Sequence, residues 1–314
     1  MERENTVTTV IGHKAPDSDS VCSAIAYAGL LKILGINAQA VTASKINRES
    51  RFILDGLDLD EPPVITETAN RVFVLVDHSS YSLAHEGVNE TNVIEVIDHH
   101  DPGDVITNDS SIKNTIEKVG ACSTLIYEKY KENDVPLDYT NAALLLSGIL
   151  SDTSFMKRNV TEKDQRAYEE LLKLVTIEDV DAYYDQMEEE RLSYEGMSDF
   201  EIFMYDYKEY ETGSYSYGLA SLAVRKKEGM EELIYRMKDV MEHYRDQLKK
   251  DYLFAKIGVL ENGNSYMIAD SEEGKKLLIK ALELTDKGEY LFTDKELSRK
   301  KIIVPAINKY LNTK

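Results

Sequence analysis

The amino-acid sequence predicts an α/β protein: a mostly parallel sheet with helices on both faces in the N-terminal part, and a smaller C-terminal α/β domain on a mixed sheet. Three observations predict it. Short β-branched runs alternate with apolar stretches of helical period through the first half of the chain. Acids and histidines return at the ends of apolar runs, in His13-Lys-Ala-Pro-Asp17-Ser-Asp19, Val76-Asp77-His78, Ile97-Asp98-His99-His100 and Leu150-Ser151-Asp152-Thr153. Charge is divided unevenly: residues 1–197 hold 17 Lys and Arg against 36 Asp and Glu, whereas residues 198–314 hold 20 against 21.

The elements follow in order. Val7–Ile11 is a β-branched run, followed by a polar loop and an apolar periodic stretch from Val21 to Leu34 that Gly35 ends, which reads as strand, loop, helix. Ala38–Val41, Val72–Val76 and Val93–Ile97 repeat the strand pattern. Alternation of this kind implies a mostly parallel sheet covered on both faces, in which ligands sit at the carboxyl ends of the strands. His13, Asp77 and Asp98-His99-His100 all fall at such ends, so one crevice can gather them. Helical patterns run through Ser123–Lys131, Tyr139–Leu150 and Thr161–Leu174.

The acidic stretch Glu188–Gly196 has no apolar period and reads as a linker, giving domains at 1–190 and 197–314 with a hinge over about 188–197. Beyond it come strand-like Phe200–Tyr207 and Tyr215–Val224, an amphipathic helix Gly229–Lys250, and strands near Leu253–Leu260 and Tyr266–Ile268. A helix at Glu272–Leu282 and strands near Tyr290–Phe292 and Ile302–Val304 complete the pattern. No internal repeat or low-complexity tract interrupts it.

Composition narrows the setting. A chain of 314 residues, 42% hydrophobic and 30% charged, is ordinary soluble composition and long enough for two cores. No segment reaches the roughly 18 unbroken apolar residues that span a bilayer, and Met1-Glu-Arg-Glu-Asn is not a signal peptide. A cytoplasmic protein with no membrane partner is expected. Cys22 and Cys122 lie outside any CxxC, so buried thiols are expected rather than a disulfide framework or a zinc knuckle. The formal net charge of −20 makes nucleic acid a poor partner, because backbone binding needs a continuous basic surface. A small phosphate compound carried with metal ions escapes that objection.

Carboxylate oxygen and imidazole nitrogen together suit a divalent ion such as Mn²⁺, whereas Mg²⁺ takes fewer protein ligands and keeps more water. Two such ions a few Å apart hold both oxygens of a hydrolytic displacement. Each motif also has a plainer reading. Asp17 and Asp19 could cap the helix that follows, and Asp77 and Asp152 could be turn residues. Asp98-His99-His100 is harder to dismiss, because a strand running into three consecutive metal-capable groups leaves buried polarity to be satisfied. Four of the six histidines lie in these motifs; His85 and His243 do not. Near the C-terminus, Ser298-Arg299-Lys300-Lys301 could be a solvated loop, but a rigid Arg fork and a flexible Lys are also the residue types that bind phosphate oxygens.

Taken together, these residues resemble the manganese-dependent inorganic pyrophosphatases of the second structural class, within the DHH phosphoesterase superfamily. The resemblance spans nearly the whole chain, from Gly12–Ala24 through Asp98-His99-His100 and Ser151-Asp152-Thr153 to Ser298-Arg299-Lys300-Lys301. The Asp-His-His triplet alone specifies only the superfamily. The terminal Ser-Arg-Lys-Lys with His13 is more specific, since related exopolyphosphatases tend to carry Asn at the position of His13.

The resemblance implies a DHH domain followed by a DHHA2 domain and an enzyme that hydrolyses inorganic pyrophosphate to two phosphates. It implies two Mn²⁺ per active site, Co²⁺ or Mg²⁺ as possible substitutes, and further Mg²⁺ arriving with substrate. One ion would be held by His13, Asp17 and Asp77 and a second by Asp19, His99 and Asp152, with Asp77 bridging. The bridging solvent would be the nucleophile, in a cleft between the two domains. His100 would contact substrate and donate a proton to the leaving group, while Arg299, Lys300 and Lys208 would grip phosphate. A homodimer formed through the N-terminal domain is also implied. Ala15 stands where the family commonly has Asn, and Ser79 where Asn often follows Asp-His. Only 20 residues separate Asp77 from Asp98, too few for the nucleotide-sensing insertion of regulated members. Two alternatives remain at this stage: an exopolyphosphatase or nucleotide phosphodiesterase using the same metals, and a non-catalytic binding protein, which the presence of every inferred ligand disfavours.

Overall fold

A computed structural model describes residues 6–109 and 111–313. The chain divides into two compact units, Met1–Arg191 and Leu192–Lys314.

The first unit is built on β1 (Val7–Ile11), β2 (Ala38–Val41), β3 (Arg71–Val76), β4 (Val93–Asp98) and β5 (Lys113–Ile116). All pair in parallel, in the order β2-β1-β3-β4-β5. Side chains alternate across the sheet, so Val10, Val74 and Ile97 pack into one core while Ile11, Leu75 and Val96 pack into another. The first core is closed by α1 (Ser18–Ile33), α2 (Arg48–Gly56), α4 (Cys122–Glu132), α5 (Tyr139–Asp152), α6 (Glu162–Leu171) and α7 (Val180–Arg191). The opposite face is covered more thinly, by the short α3 (Asp104–Asn108) and by turns carrying Tyr81, Ala84 and Val88. Strand order reverses direction at β1, with β2 on one side and β3 on the other, and a crevice opens above the carboxyl ends at such a point.

Four elements of this unit, α2, α3, β5 and α7, were not expected from the sequence. In α2 the start is fixed by Asn47, whose side chain accepts from Ser50 N at 2.7 Å. In β5, Lys-Asn-Thr-Ile has no apolar alternation because it is an edge strand. In α7, Glu188–Arg191, expected to be linker, form the last turn of a helix that buries Tyr184 and Met187. Cys22 and Cys122 are buried free thiols, as expected.

The second unit carries α8 (Asp199–Met204), β6 (Tyr207–Thr212), β7 (Tyr215–Val224), α9 (Met230–Leu248), β8 (Tyr252–Val259), β9 (Ser265–Ala269), α10 (Glu272–Leu282), β10 (Thr285–Asp286), β11 (Leu291–Thr293) and α11 (Val304–Leu311). Its sheet runs β10-β11-β9-β8-β7-β6 and is mixed, with β7 and β8 parallel and the other pairs antiparallel.

Two sequence expectations fail here. Phe200–Met204 is helical rather than extended, because Ser198 and Glu201 form a reciprocal capping box and Ile202 and Phe203 share the buried side. Ile302–Val304 is not a strand either: Arg299–Ile303 forms one π-helical turn that leads into α11. The local physics favours the helix, since Ile303, Ile307 and Leu311 recur every four residues and are all buried, and Pro305 suits a helix's first turn.

Candidate metal centre

Asp17 is the N-cap of α1, its Oδ1 accepting from Ser20 N at 3.0 Å. The capping reading is therefore correct but incomplete, since Oδ2 of the same carboxylate faces His13 Nε2 at 3.5 Å. His13 lies one residue beyond β1, after Gly12, and its Nε2 lies 3.3 Å from Asp77 Oδ2. Asp77 directly follows β3 with φ of 64°, a left-handed conformation that Asp tolerates better than most side chains and that clusters at functional sites.

The other oxygen of Asp77, Oδ1, lies 3.1 Å from His99 Nε2, which is itself 3.2 Å from Asp152 Oδ2. His99 Nδ1 sits 3.1 Å from the carbonyl oxygen of Val119, a contact in which Nδ1–H donates, so that Nε2 is the ring nitrogen directed into the cluster. Asp152 is the last residue of α5, where the helix dipole opposes a negative charge unless a cation is near.

Asp19 is fully buried and does not cap α1. It accepts instead from Cys122 N at 2.6 Å and Ser123 N at 2.9 Å, the first backbone donors of α4. That contact needs Gly148, because a Cβ there would fall 2.8 Å from Asp19 Oδ1 and 2.1 Å from Ser123 Oγ.

Three groups of ligand atoms result, His13, Asp17 and Asp77 in one, Asp19, Asp77, His99 and Asp152 in a second and Asp77, His99 and the half-exposed His100 in a third, with every atom in a group within 4.8 Å of the rest. Asp77 belongs to all three. Protonation reflects this crowding. Burial, reinforced by Asp77 and Asp152, holds the Asp19 carboxyl well above the ordinary carboxylate range, and burial likewise raises Asp152 despite its contact with His99. Burial alone would lower His13, but Asp17 and Asp77 raise it to about 10; against the same burial, Asp152 and Asp77 push His99 up to about 12. Asp77 moves the other way, its contacts with His13 and His99 outweighing burial.

These residues fit divalent cations. Asp77 Oδ1 and His99 Nε2 are buried and, although close, are aligned for no hydrogen bond with any described group. Unsatisfied buried oxygen and imidazole nitrogen aimed at a shared point are what a metal would satisfy. His100 lies at the exposed edge of the cluster, its side chain 60% exposed and its Nδ1 2.9 Å from Asp98 Oδ1 and 3.9 Å from Asp77 Oδ1. His78 is buried, with Nδ1 3.0 Å from the Val76 carbonyl oxygen. Of the two departures from the family pattern, Ala15 is exposed, and Ser79 is buried with its Oγ accepting from Gly103 N at 2.8 Å.

Within the second unit, Arg299 donates to Asp206 twice, Nη1 to the carbonyl oxygen at 2.5 Å and Nη2 to Oδ1 at 2.7 Å. Lys208, two residues further on in β6, is exposed, as is Lys300. The sequence reading missed Glu49, which is buried beneath the first unit's cluster and looks in the sequence like an ordinary acid in a helix's first turn.

Fold and site define a class first. Residues 7–149 match the N-terminal domain model of the DHH family, and residues 185–310 match the DHHA2 domain. The manganese-dependent inorganic pyrophosphatase of Bacillus subtilis is 30% identical over 302 residues, covering 95% of this chain and 96% of that one. That of Methanothrix thermoacetophila is 27% identical over 304 residues, with 95% and 96% covered. The Methanococcus jannaschii protein solved as a candidate family II inorganic pyrophosphatase superposes with a TM-score of 0.66 at 25% identity, covering 97% of this chain and 99% of that one. The chain belongs to the family of manganese-dependent inorganic pyrophosphatases.

Proposed function

We propose that the protein hydrolyses inorganic pyrophosphate to two phosphates with divalent cations, manganese foremost, held at His13, Asp17 and Asp77 and at Asp77, Asp19, His99 and Asp152. The observation that carries this reading is the position of Asp77 in both of these ligand sets. Cations bound there would neutralise phosphoryl oxygens and acidify water, the two contributions a pair of metals makes to an in-line displacement.

The remaining work falls to side chains. Asp98 engages His100 Nδ1, so the ring's other nitrogen, Nε2, is left for substrate. When water adds to one phosphorus and the P–O bond to the other phosphate breaks, His100 Nε2–H supplies the proton that the departing oxygen takes up. Arg299, Lys300 and Lys208 bind phosphate oxygens, with Asp206 fixing the Arg299 fork before substrate arrives. A hinge within about 188–197, homodimerisation through the first unit, a cytoplasmic location and the absence of nucleic-acid partners belong to the same reading. The acidic balance of the chain supports the last of these, and no helix among the described residues is long and apolar enough to cross a membrane.

The test is phosphate release from pyrophosphate and from polyphosphate, with Mn²⁺, Co²⁺ and Mg²⁺ compared. Pyrophosphate should be preferred by orders of magnitude and Mn²⁺ or Co²⁺ should bind more tightly than Mg²⁺. Equal turnover of polyphosphate would move the assignment to the exopolyphosphatase alternative.

A further inference from the structure

Glu49 is a buried carboxylate that the proposed reaction does not use. Its side chain enters from α2, is 1% exposed, and has no described cation in contact. Such a group is costly to bury, and an apolar residue would anchor a nine-residue helix more cheaply.

Its partners explain its presence. Ser18 Oγ donates to Glu49 Oε2 at 2.9 Å, and Ser151 Oγ lies 3.1 Å from both Oε1 and Oε2. Ser50 Oγ, on α2 itself, completes the cluster at 3.1 Å from Ser18 Oγ. Ser18 stands between Asp17 and Asp19, and Ser151 immediately precedes Asp152. One carboxylate thus ties the turn that presents two of the proposed ligands to the helix end that presents a third, 102 residues from Glu49 in sequence. The Glu49 oxygens reach the ligand-bearing backbone through hydroxyl groups alone, with no hydrogen bond to a ligand side chain among the described residues.

We infer that Glu49 is a positioning residue for the metal centre: through Ser18 and Ser151 it sets the separation between the Asp17–Asp19 turn and Asp152, and hence the fit of the cluster to a divalent cation. The inference rests on the ligand assignment above. Groups that orient metal ligands without touching metal characteristically change affinity 10- to 100-fold when removed.

The test is calorimetric titration of metal-free protein with Mn²⁺, with folded content followed by circular dichroism. Glu49→Ala should weaken Mn²⁺ binding about 10- to 100-fold at unchanged folded content. Glu49→Gln should weaken it less, because the amide oxygen still accepts from one serine. Ser151→Ala should weaken it alone yet add nothing in the Glu49→Ala background, since two mutations that cut one bridge are not additive. Should Glu49→Ala fail to fold, Glu49→Gln and Ser151→Ala, singly and together, carry the same test. Binding within twofold of the unaltered protein in these variants, or fully additive effects, would overturn the inference. Asp77→Ala separates the two claims: if it too binds Mn²⁺ normally, the ligand assignment has failed, whereas loss of binding there with normal binding in the Glu49 variants removes the bridge alone.

Discussion

Asp98 Oδ1 lies 2.9 Å from His100 Nδ1 and also accepts the His100 backbone N–H at 3.1 Å, so an exposed imidazole is anchored to a fully buried carboxylate. Asp98→Ala should lower kcat about 10- to 100-fold while leaving Mn²⁺ affinity near that of the unaltered protein, because it removes the orientation of the proton donor and no ligand. Steady-state kinetics paired with metal titration checks this. Unchanged kcat would take His100 out of proton transfer.

Asp77→Ala removes the one carboxylate shared by both proposed ligand sets. Hydrolysis should fall to background and Mn²⁺ binding should be lost or greatly weakened, while far-UV circular dichroism stays native. Full activity with unchanged metal content would refute the site.

Cation removal should also be visible in stability. Without metal, Asp19, Asp77 and Asp152 crowd together, and a ligand that binds only the native state at 100 times its Kd adds about 2.7 kcal/mol. For a unit of this size that amounts to a rise of roughly 5–10 °C in the melting temperature. Calorimetric scans of metal-free and Mn²⁺-saturated protein measure it, and coincident melting curves would contradict it.

Glu49 gives a pH dependence whose sign is opposite to that of a salt-bridged acid. Burial raises its carboxyl to about 7, beyond what the charge of Arg191 and then the hydrogen bonds from Ser18 and Ser151 restore, against 4.5 as the ordinary value. The native state then holds this proton more tightly than the unfolded chain, so stability is lost as pH rises through about 4.5 to 7, by about 3 kcal/mol at most. Metal-free Glu49→Gln lacks that loss. Relative to the unaltered protein it should gain stability between pH 5 and pH 8, as read by urea denaturation. A difference that does not change with pH would show that Glu49 titrates normally.

Arg299→Ala should raise KM and lower kcat together without changing Mn²⁺ affinity, since the fork's contacts strengthen as charge builds on the transferring phosphoryl group. A loss of 10- to 1000-fold in kcat/KM is the expected scale for one preorganised donor. Wild-type kinetics would return Ser298–Lys301 to the role of a solvated basic turn.

The strands of the first sheet were legible because parallel strands buried on both faces write themselves as β-branched runs: Val7–Ile11 and Ala38–Val41 were read to the residue. The cluster was legible for a related reason, since metal-capable side chains at strand ends have few other uses. What escaped was polar, short or capped. Lys113–Ile116 carries no alternation because an edge strand buries little, and Phe200–Met204 resembles a strand until Ser198 and Glu201 are seen as a box. Ile302–Val304 has β-branched residues, but its burial follows every fourth position. Glu49 left no signal, because its meaning lies in two serines that only the fold brings to it.

The ligand groups draw on β1, α1, β3, β4 and α5, so the site is divided along the chain as well as gathered in space. A cut in the exposed stretch at residues 58–61 would leave His13, Asp17, Asp19 and Glu49 on a fragment carrying β1 and β2, and Asp77, His99 and Asp152 on one carrying β3, β4 and β5. The seam would fall between β1 and β3, at the strand pair beneath the cluster. Neither piece keeps either proposed ligand set, His13–Asp17–Asp77 or Asp19–Asp77–His99–Asp152, complete, so recovery of Mn²⁺ affinity on mixing the two would report their reassembly directly, and manganese itself would act as the clasp that favours the rejoined sheet.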